Sequence, residues 1–496
     1  GNKFYVTTPL YYVNASPHIG HSYTTIAADA LARFMRQLKG EANVWFLTGT
    51  DEHGQKIERA ADELKLKPLE FADKMALQYK QLWKSLDISY NDFIRTTESR
   101  HTSVVQKCLE ILHKKGQIYS AAYEGWYCTP CETFWTSTQL EDQKCPDCKR
   151  PVEKISETNF FFKLSEHQDW LAAHINSHPE FIKPASRAAE VLSFLKMNKL
   201  TDLCISRPKE RLSWGIPIPF SAGHVTYVWF GALINYISAV GEFDDKDVYR
   251  SPWWPADLHL IGKDILRQHA VDWPIILHAL NIEPPKTIFA HGWWLSHEDK
   301  ISKSRGNVVN PLEMVEKFGL DVYRYFLLRD VPFGLDGTFS EAAIIKRFNG
   351  DLANDLGNLV YRTLTMIEKY YGGKVPDAGV NRDEGGRRIE EKMRLLRGQL
   401  ESALVKENGL NFSGGLEEIW GLIGMANKYI EDKKPWILSK ENRQEELKTF
   451  IRLLTVVIRE VAGGITPFMP GTSQSIKEQL GEDIVKKGKP LFPRII

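Results

Sequence analysis

Four of the six cysteines fall in one short stretch, Cys128-x2-Cys131 and, thirteen residues later, Cys145-x2-Cys148. Two such pairs supply four thiolates that can close a tetrahedron around Zn²⁺, and the turn formers Pro130, Pro146 and Asp147 sit inside them. Four thiolates leave no open coordination position, so a folding metal is expected and not a catalytic one. The competing reading, buried or disulfide-bonded cysteines, is disfavoured by the polar intervening residues Glu132, Glu141, Asp142, Gln143 and Lys144. So few cysteines in 496 residues also make no disulfide scaffold. Cys108 and Cys204 read as core.

Two histidines, His18 and His21, flank Ile19 and Gly20 just after an apolar run that reads as a strand. A helix starting there offers unpaired backbone N–H groups and a positive dipole end to phosphate, and the two imidazoles can donate to its oxygens. Gly20 lets a nucleotide approach the backbone. Taken alone, two histidines at a helix start are more often satisfied surface or core residues. A second segment, Lys300-Ile-Ser-Lys-Ser304, carries two cations and two hydroxyls that can fold over a triphosphate and neutralise charge moving onto pyrophosphate. Taken alone it reads as a solvated basic loop. Each follows a strand-like run, and the pair together points to nucleotide chemistry.

The elements that must position these residues alternate from the start. Phe4 to Thr8 and Asn43 to Leu47 read as strands, with helices over Gly20 to Gln37 and Pro68 to Leu86, which predicts a parallel α/β domain. A zinc-bearing stretch with short aromatic runs interrupts it. Strand-like runs at Thr226 to Trp229, Leu258 to Ile261 and Ile288 to His291, with helical Asp264 to Leu280 between them, predict that the parallel sheet resumes. From about Glu341 the pattern is helical, broken by a Gly/Pro/Asp-rich stretch at Gly372 to Gly386. The expected architecture is α/β: a Rossmann-like parallel sheet split by a zinc-knuckle insertion and followed by an all-α helix bundle. The expected segments are 1–113, first half of the sheet domain; 114–221, insertion; 222–296, second half; 297–345, lysine-rich loop and connecting helices; and 346–496, bundle.

Composition narrows the classes. Sixty-four Lys and Arg against 63 Asp and Glu leave a net charge of +1, so any polyanion must meet local patches. The longest uncharged run, Leu212 to Gly241, has 30 residues but contains Pro217, Pro219, Gly215, Gly223, Gly231, His224 and Asn235, and reads as buried core instead of a membrane span. No targeting peptide is visible at the N-terminus, which predicts a cytoplasmic protein or a mature organellar one; Gly1 fits a processing or tag scar.

The two signatures and the split sheet between them resemble class I aminoacyl-tRNA synthetases, and the detail resembles the methionyl-tRNA synthetases of bacterial and organellar type. The matching runs are Thr7 to Asn14 (TTPLYYVN), Thr48 to Gly54 (TGTDEHG), Ile205 to Arg207, Trp214 to Pro217, Tyr227 to Trp229, Ile261 to Asp264 and Lys434 to Trp436. The resemblance implies a ligase that activates methionine with ATP and charges methionine tRNA. It implies a methionine pocket of Leu10, Tyr12, Asp51, Trp229, Ala232, Tyr236, Ile265 and His269, with Asp51 on the substrate ammonium. The Leu10 N–H and the Tyr236 hydroxyl would point at the sulfur, which is only a weak acceptor, so shape should carry most of the selectivity. For ATP it implies His18, Gly20, His21, Asp264, Lys300, Ser302 and Lys303, with His18, His21, Lys300 and Lys303 as the catalytic set, and Mg²⁺ with the triphosphate. In the bundle, Asn354, Asn358 and Arg362 stand at i, i+4 and i+8, and Trp436 lies beside Lys433 and Lys434. Such side chains can read base edges and stack on an unpaired base, and the resemblance makes them the anticodon reader.

Three departures from that pattern stand out: Ile301 for the usual methionine, Gly231 for the usual aspartate, and an end soon after Arg494 where many relatives continue, which predicts a monomer. The rival readings are a class I synthetase for another amino acid such as leucine, valine or cysteine, a small-molecule nucleotidyltransferase, and a non-catalytic tRNA-binding paralogue. An insertion of about 110 residues looks too short for both the knuckle and an editing domain. A closed thiolate set does not suit the catalytic zinc expected for cysteine.

Overall fold

The strand Val44–Asp51 is buried along nearly its whole length, as a strand covered on both faces must be. It lies inside a parallel sheet whose principal strands run in the order Asp92–Arg95, Val44–Asp51, Phe4–Thr7, Leu258–Gly262, Ile288–His291. In chain order this is 3-2-1-4-5, the doubly wound arrangement. The short strand Tyr11–Tyr12 continues past Thr7 and pairs Tyr12 with Asp51. Such sheets bind ligands beyond the carboxyl ends of the strands, where the order reverses; here that is the crevice between Phe4–Thr7 and Leu258–Gly262. The computed structural model describes residues 2–14, 16–296, 299–300, 309–377, 379, 383–406 and 409–495.

Helix Ile19–Lys39 packs a face of Tyr23, Ile26, Ala27, Ala30, Leu31 and Phe34 inward and ends at Gly40, whose φ of 88° suits glycine. The interrupting segment forms its own antiparallel sheet, ordered Thr133–Trp135, Ile118–Cys128, Glu153–Phe162, Leu203–Cys204. Two details differ from the sequence expectation. The run Thr226 to Trp229 is no strand of the resumed parallel sheet: Ser221–Thr226 pairs antiparallel with Ser206–Pro208 and Pro217–Ile218, and a helix begins at Val228. Thr226, Tyr227 and Val228 are buried there where an antiparallel strand ends and a helix begins. In addition, the insertion sends one strand, Ile182–Lys183, back to the parallel sheet, where it pairs with Ile288 and Phe289.

The chain divides into two compact units, Gly1–His291 and Gly292–Ile496. The second holds a short sheet of Trp294–Ser296, Asp299–Lys300 and Gly337–Thr338 and is otherwise helical. Its long helices Glu384–Leu404, Phe412–Lys433 and Gln444–Ile465 bury Leu400, Ile419, Ile423, Leu454 and Ile458. Among the described residues, no helix is long and apolar enough to cross a membrane.

Candidate active site and metal centre

His18 caps the helix Ile19–Lys39. Its Nδ1 accepts from the Gly20 N–H at 3.0 Å, while its own N–H donates to His21 Nδ1 at 3.1 Å. A ring nitrogen that accepts a backbone N–H carries no proton, so both imidazoles keep theirs on Nε2. The rings lie 4.0 Å apart between centres. Two N–H donors of fixed tautomer at a helix N-terminus suit an anion. Gly20 has a nearer reason to be glycine than nucleotide approach: a Cβ there would meet the His18 ring at 2.9 Å. Across the crevice, Asp264 stands exposed in the turn Lys263–Ile265 that follows Leu258–Gly262. Lys300 lies in Asp299–Lys300, whose backbone pairs with Leu295. Ser302 and Lys303 lie outside the described residues, as does Ile301.

The residues expected to form the amino acid pocket all lie in the first unit. Trp229 and Ala232, three apart on the helix Val228–Leu233, share a face. Leu10, Trp229 and Ile265 pack against the apolar cluster that includes Tyr236. His269 faces the Ile265 carbonyl with Nδ1 at 2.9 Å and the Tyr236 hydroxyl with Nε2 at 2.7 Å. The carbonyl can only accept, so Nδ1 bears the hydrogen and Tyr236 donates to Nε2. Burial, which holds the His269 pKa down to about 4, keeps the ring neutral as this chain of bonds requires. The Tyr236 hydrogen is therefore directed at His269, and a bond from it to a substrate sulfur would have to displace that partner.

Asp51 is 9% exposed at the end of Val44–Asp51. Burial, and next the nearby charge of Glu132, push its carboxyl well above the usual carboxylate range. Glu132 is the residue beside Asp51 and Tyr12 whose place the sequence reading missed. It is 5% exposed, it follows the second cysteine of the first knuckle, and it accepts from the Tyr12 hydroxyl at 2.9 Å, the Tyr127 hydroxyl at 2.6 Å and the Lys56 N–H at 2.9 Å. The Tyr12–Glu132 bond runs over Gly54, where φ is 114° and a Cβ would stand 2.5 Å from the Tyr12 oxygen. Only glycine fits there. An acid one residue past a cysteine pair, ahead of the aromatic run Phe134-Trp135, was the available signal.

The four cysteines converge as their spacing predicts. Their sulfurs all lie within 4.8 Å of one another, with Cys128 to Cys148 at 3.5 Å and Cys131 to Cys145 at 3.8 Å. A tetrahedron with metal–sulfur bonds of about 2.3 Å has edges of about 3.8 Å, whereas a disulfide needs about 2.05 Å. The residues fit a metal ion and not two disulfides. Both knuckles turn alike, with Glu132 and Lys149, each directly after the second cysteine of its pair, at φ of 52° and 58°. Their apolar core is small, chiefly Trp126, Trp135, Leu140 and Val152 around the sulfurs.

A family model described as tRNA synthetases class I (M) matches residues 4–156 and 138–364. The methionine–tRNA ligase of Caldanaerobacter subterraneus is 48% identical over 99% of this chain and 79% of its own length, and that of Bacillus subtilis 42% identical over 100% and 78%. The chain belongs to the methionine–tRNA ligase family. A solved structure of Mycobacterium tuberculosis methionyl-tRNA synthetase in complex with methionyl-adenylate is similar at a TM-score of 0.93 and 38% identity, covering 99% of this chain and 100% of that one.

Membership of the methionine–tRNA ligase family gives the helical unit a role to be judged by. Asn354 and Asn358 are exposed, and Arg362 is partly so. Asn354 lies in a wider, π-type turn over Phe348–Gly357 and accepts from Arg494, while Arg362 pairs with Glu431 at 2.6 Å. Trp436 opens a short helix, Pro435–Lys440, after a left-handed Lys434, and is 47% exposed. About half of the indole is thus open to solvent.

Proposed function

We propose that this chain is a methionine–tRNA ligase that activates methionine with ATP and transfers it to the 3′ end of methionine tRNA. The observation that carries the reading is the match along 99% of the chain to a synthetase described as holding methionyl-adenylate. In the first step the methionine carboxylate attacks the α-phosphorus and pyrophosphate leaves; in the second a tRNA 3′-terminal hydroxyl attacks the activated carbonyl and AMP leaves. No protein nucleophile is needed, so the chain acts by positioning and charge stabilisation. Asp51 holds the ammonium, Tyr12 and Trp229 wall the thioether, and Leu10, Ala232, Tyr236, Ile265 and His269 close the pocket. His18 and His21 donate from Nε2 to phosphate oxygens, Asp264 serves the ribose side, and Lys300, Ser302 and Lys303 meet the charge that develops on pyrophosphate.

ATP is expected to arrive with Mg²⁺, an ion that prefers phosphate oxygens and water to a dedicated protein cage. Cys128, Cys131, Cys145 and Cys148 hold Zn²⁺, which when bound supplies folding energy to the knuckle. Asn354, Asn358, Arg362 and Trp436 read the anticodon, and the proposed place of action is the cytoplasm. A charging assay tests the whole: with ATP and methionine, a transcript of methionine tRNA should be charged, and the same transcript with an altered anticodon should be charged poorly. Preferential charging of a leucine or valine tRNA with its own amino acid would contradict the reading.

A further inference from the structure

A cavity of about 430 Å³ in the first unit is walled by the end of the helix Ser99–Lys114, by the hairpin of Glu242–Phe243 and Tyr249–Arg250, and by residues 280–283. Its lining residues Trp254 and Glu283 come just before the parallel strands Leu258–Gly262 and Ile288–His291, so it lies toward the amino ends of the sheet. Asp264, assigned to ATP, follows the opposite end of Leu258–Gly262, and none of the residues assigned to methionine or ATP lines the cavity. Lys114, Lys115 and Lys246 face Asp247 and Glu283 across it. Asp247 is already engaged, by Lys107 at 2.6 Å and Lys114 at 3.6 Å. Among the described residues, Lys115 and Lys246 have no ion-pair partner. Lys115 donates to the Ala279 carbonyl at 2.9 Å, which leaves further hydrogens to give, and partial burial lowers its pKa. Beside these cations stands an apolar and aromatic wall of Ile111, Tyr249, Trp254 and Ile282. The wall is held in place without a ligand: the Tyr249 hydroxyl donates to the Ile237 carbonyl at 2.8 Å, the Trp254 indole N–H donates to the Glu283 carbonyl at 2.8 Å, and the Ser251 hydroxyl oxygen accepts from the Trp253 and Trp254 N–H groups at 3.0 and 3.1 Å.

We propose that this cavity binds a mononucleotide apart from the catalytic crevice, with its phosphate on Lys115 and Lys246 and its ring against Trp254 and Tyr249. Two ammonium groups without acids call for an anion, and phosphate offers each of them an acceptor oxygen. The aromatic wall calls for a flat ring on the same molecule, since every base has a face that stacks. Cavities of roughly 300–1,000 Å³ that join apolar walls to a few polar groups take small ligands. Three segments of chain enclose this one, which suits a single nucleotide better than a continuous strand. Walls fixed beforehand spare the ligand the cost of ordering them.

The test is equilibrium dialysis of AMP against the metal-loaded protein with its catalytic crevice filled by an unreactive methionyl-adenylate analogue. One AMP per chain should still bind. Lys115→Gln and Lys246→Gln should each weaken that binding about tenfold, and inorganic phosphate, which lacks the ring, should bind at least about tenfold more weakly than AMP. Both lysines are surface residues, so the variants should fold, and their ATP–pyrophosphate exchange without added AMP should equal the parent's. Loss of all AMP binding once the crevice is filled overturns the proposal, as does residual binding that both variants keep in full, or phosphate held as tightly as AMP. If the analogue itself does not bind, the methionine-activating reading falls, and the cavity is judged by AMP alone: one fewer AMP per chain in the double variant than in the parent supports it, and an equal number overturns it.

Discussion

Asp51 is the residue proposed to hold the methionine ammonium. Burial first, and Glu132 second, raise its carboxyl well above the ordinary range, whereas the methionine ammonium needs the carboxylate. Because only the ionised carboxyl pairs with the ammonium, the methionine KM is expected to fall as pH rises through the raised pKa of Asp51 and to level off above it. Asp51→Asn should flatten that profile and raise KM by about 10- to 150-fold, the worth of a charged hydrogen bond of about 1.5–3 kcal/mol. A profile unchanged in the variant would count against the assignment. Glu132→Gln removes the second cause of the shift while leaving the metal ligands in place. Its KM–pH limb should move to lower pH, with KM at the plateau a few-fold higher because Tyr12 and Tyr127 share one acceptor fewer. Lys303, by contrast, is expected to act on charge that appears only in the transition state. Lys303→Ala should leave methionine binding nearly intact and slow exchange by about 10²–10³-fold, and an exchange rate equal to the parent's would exclude that role.

The four-cysteine knuckle is the element on which Tyr12 leans. Glu132 joins it to Tyr12 across 120 residues of chain, a link that no local pattern displays. The convergence of the cysteines was legible because metal ligation fixes spacing, and the helix start at His18 to His21 because capping acts within one helical turn. The parallel sheet was legible from its buried strands, but Thr226 to Trp229 was not, since a buried strand end running into a helix start selects the same aromatic and β-branched residues as a buried strand. Metal analysis should find one zinc per chain. Cys145→Ser, or a chelator, should lower the melting temperature and raise the methionine KM together, because the loosened knuckle releases Glu132. Protein purified without zinc, or Cys145→Ser as stable as the parent, would remove the metal from the account.

At the scale of the whole chain, the residues proposed for activation end at Lys303, early in the second unit, and those proposed for anticodon reading begin at Asn354, so the two activities should separate by mutation. Trp436 is 47% exposed, and its truncation should cost little stability. If it stacks on an anticodon base, Trp436→Ala loses about 1–3 kcal/mol of tRNA binding and raises the tRNA requirement about 5- to 150-fold, with exchange unchanged. A large fall in melting temperature with parallel loss of both activities would make it a packing residue after all. Gly231 bears on the same question of competence from the first unit. A Cβ there would find only Ile216 and Thr226 at 3.7 Å, so the glycine is not imposed by crowding, and nothing in the structure explains why the usual aspartate is missing. Whether the chain is an active ligase or a binding paralogue is therefore decided by chemistry: ATP–pyrophosphate exchange measured with each of the twenty amino acids in turn. The account predicts exchange dependent on methionine and weak or absent with the other nineteen; exchange driven by another amino acid, or by none, would contradict it.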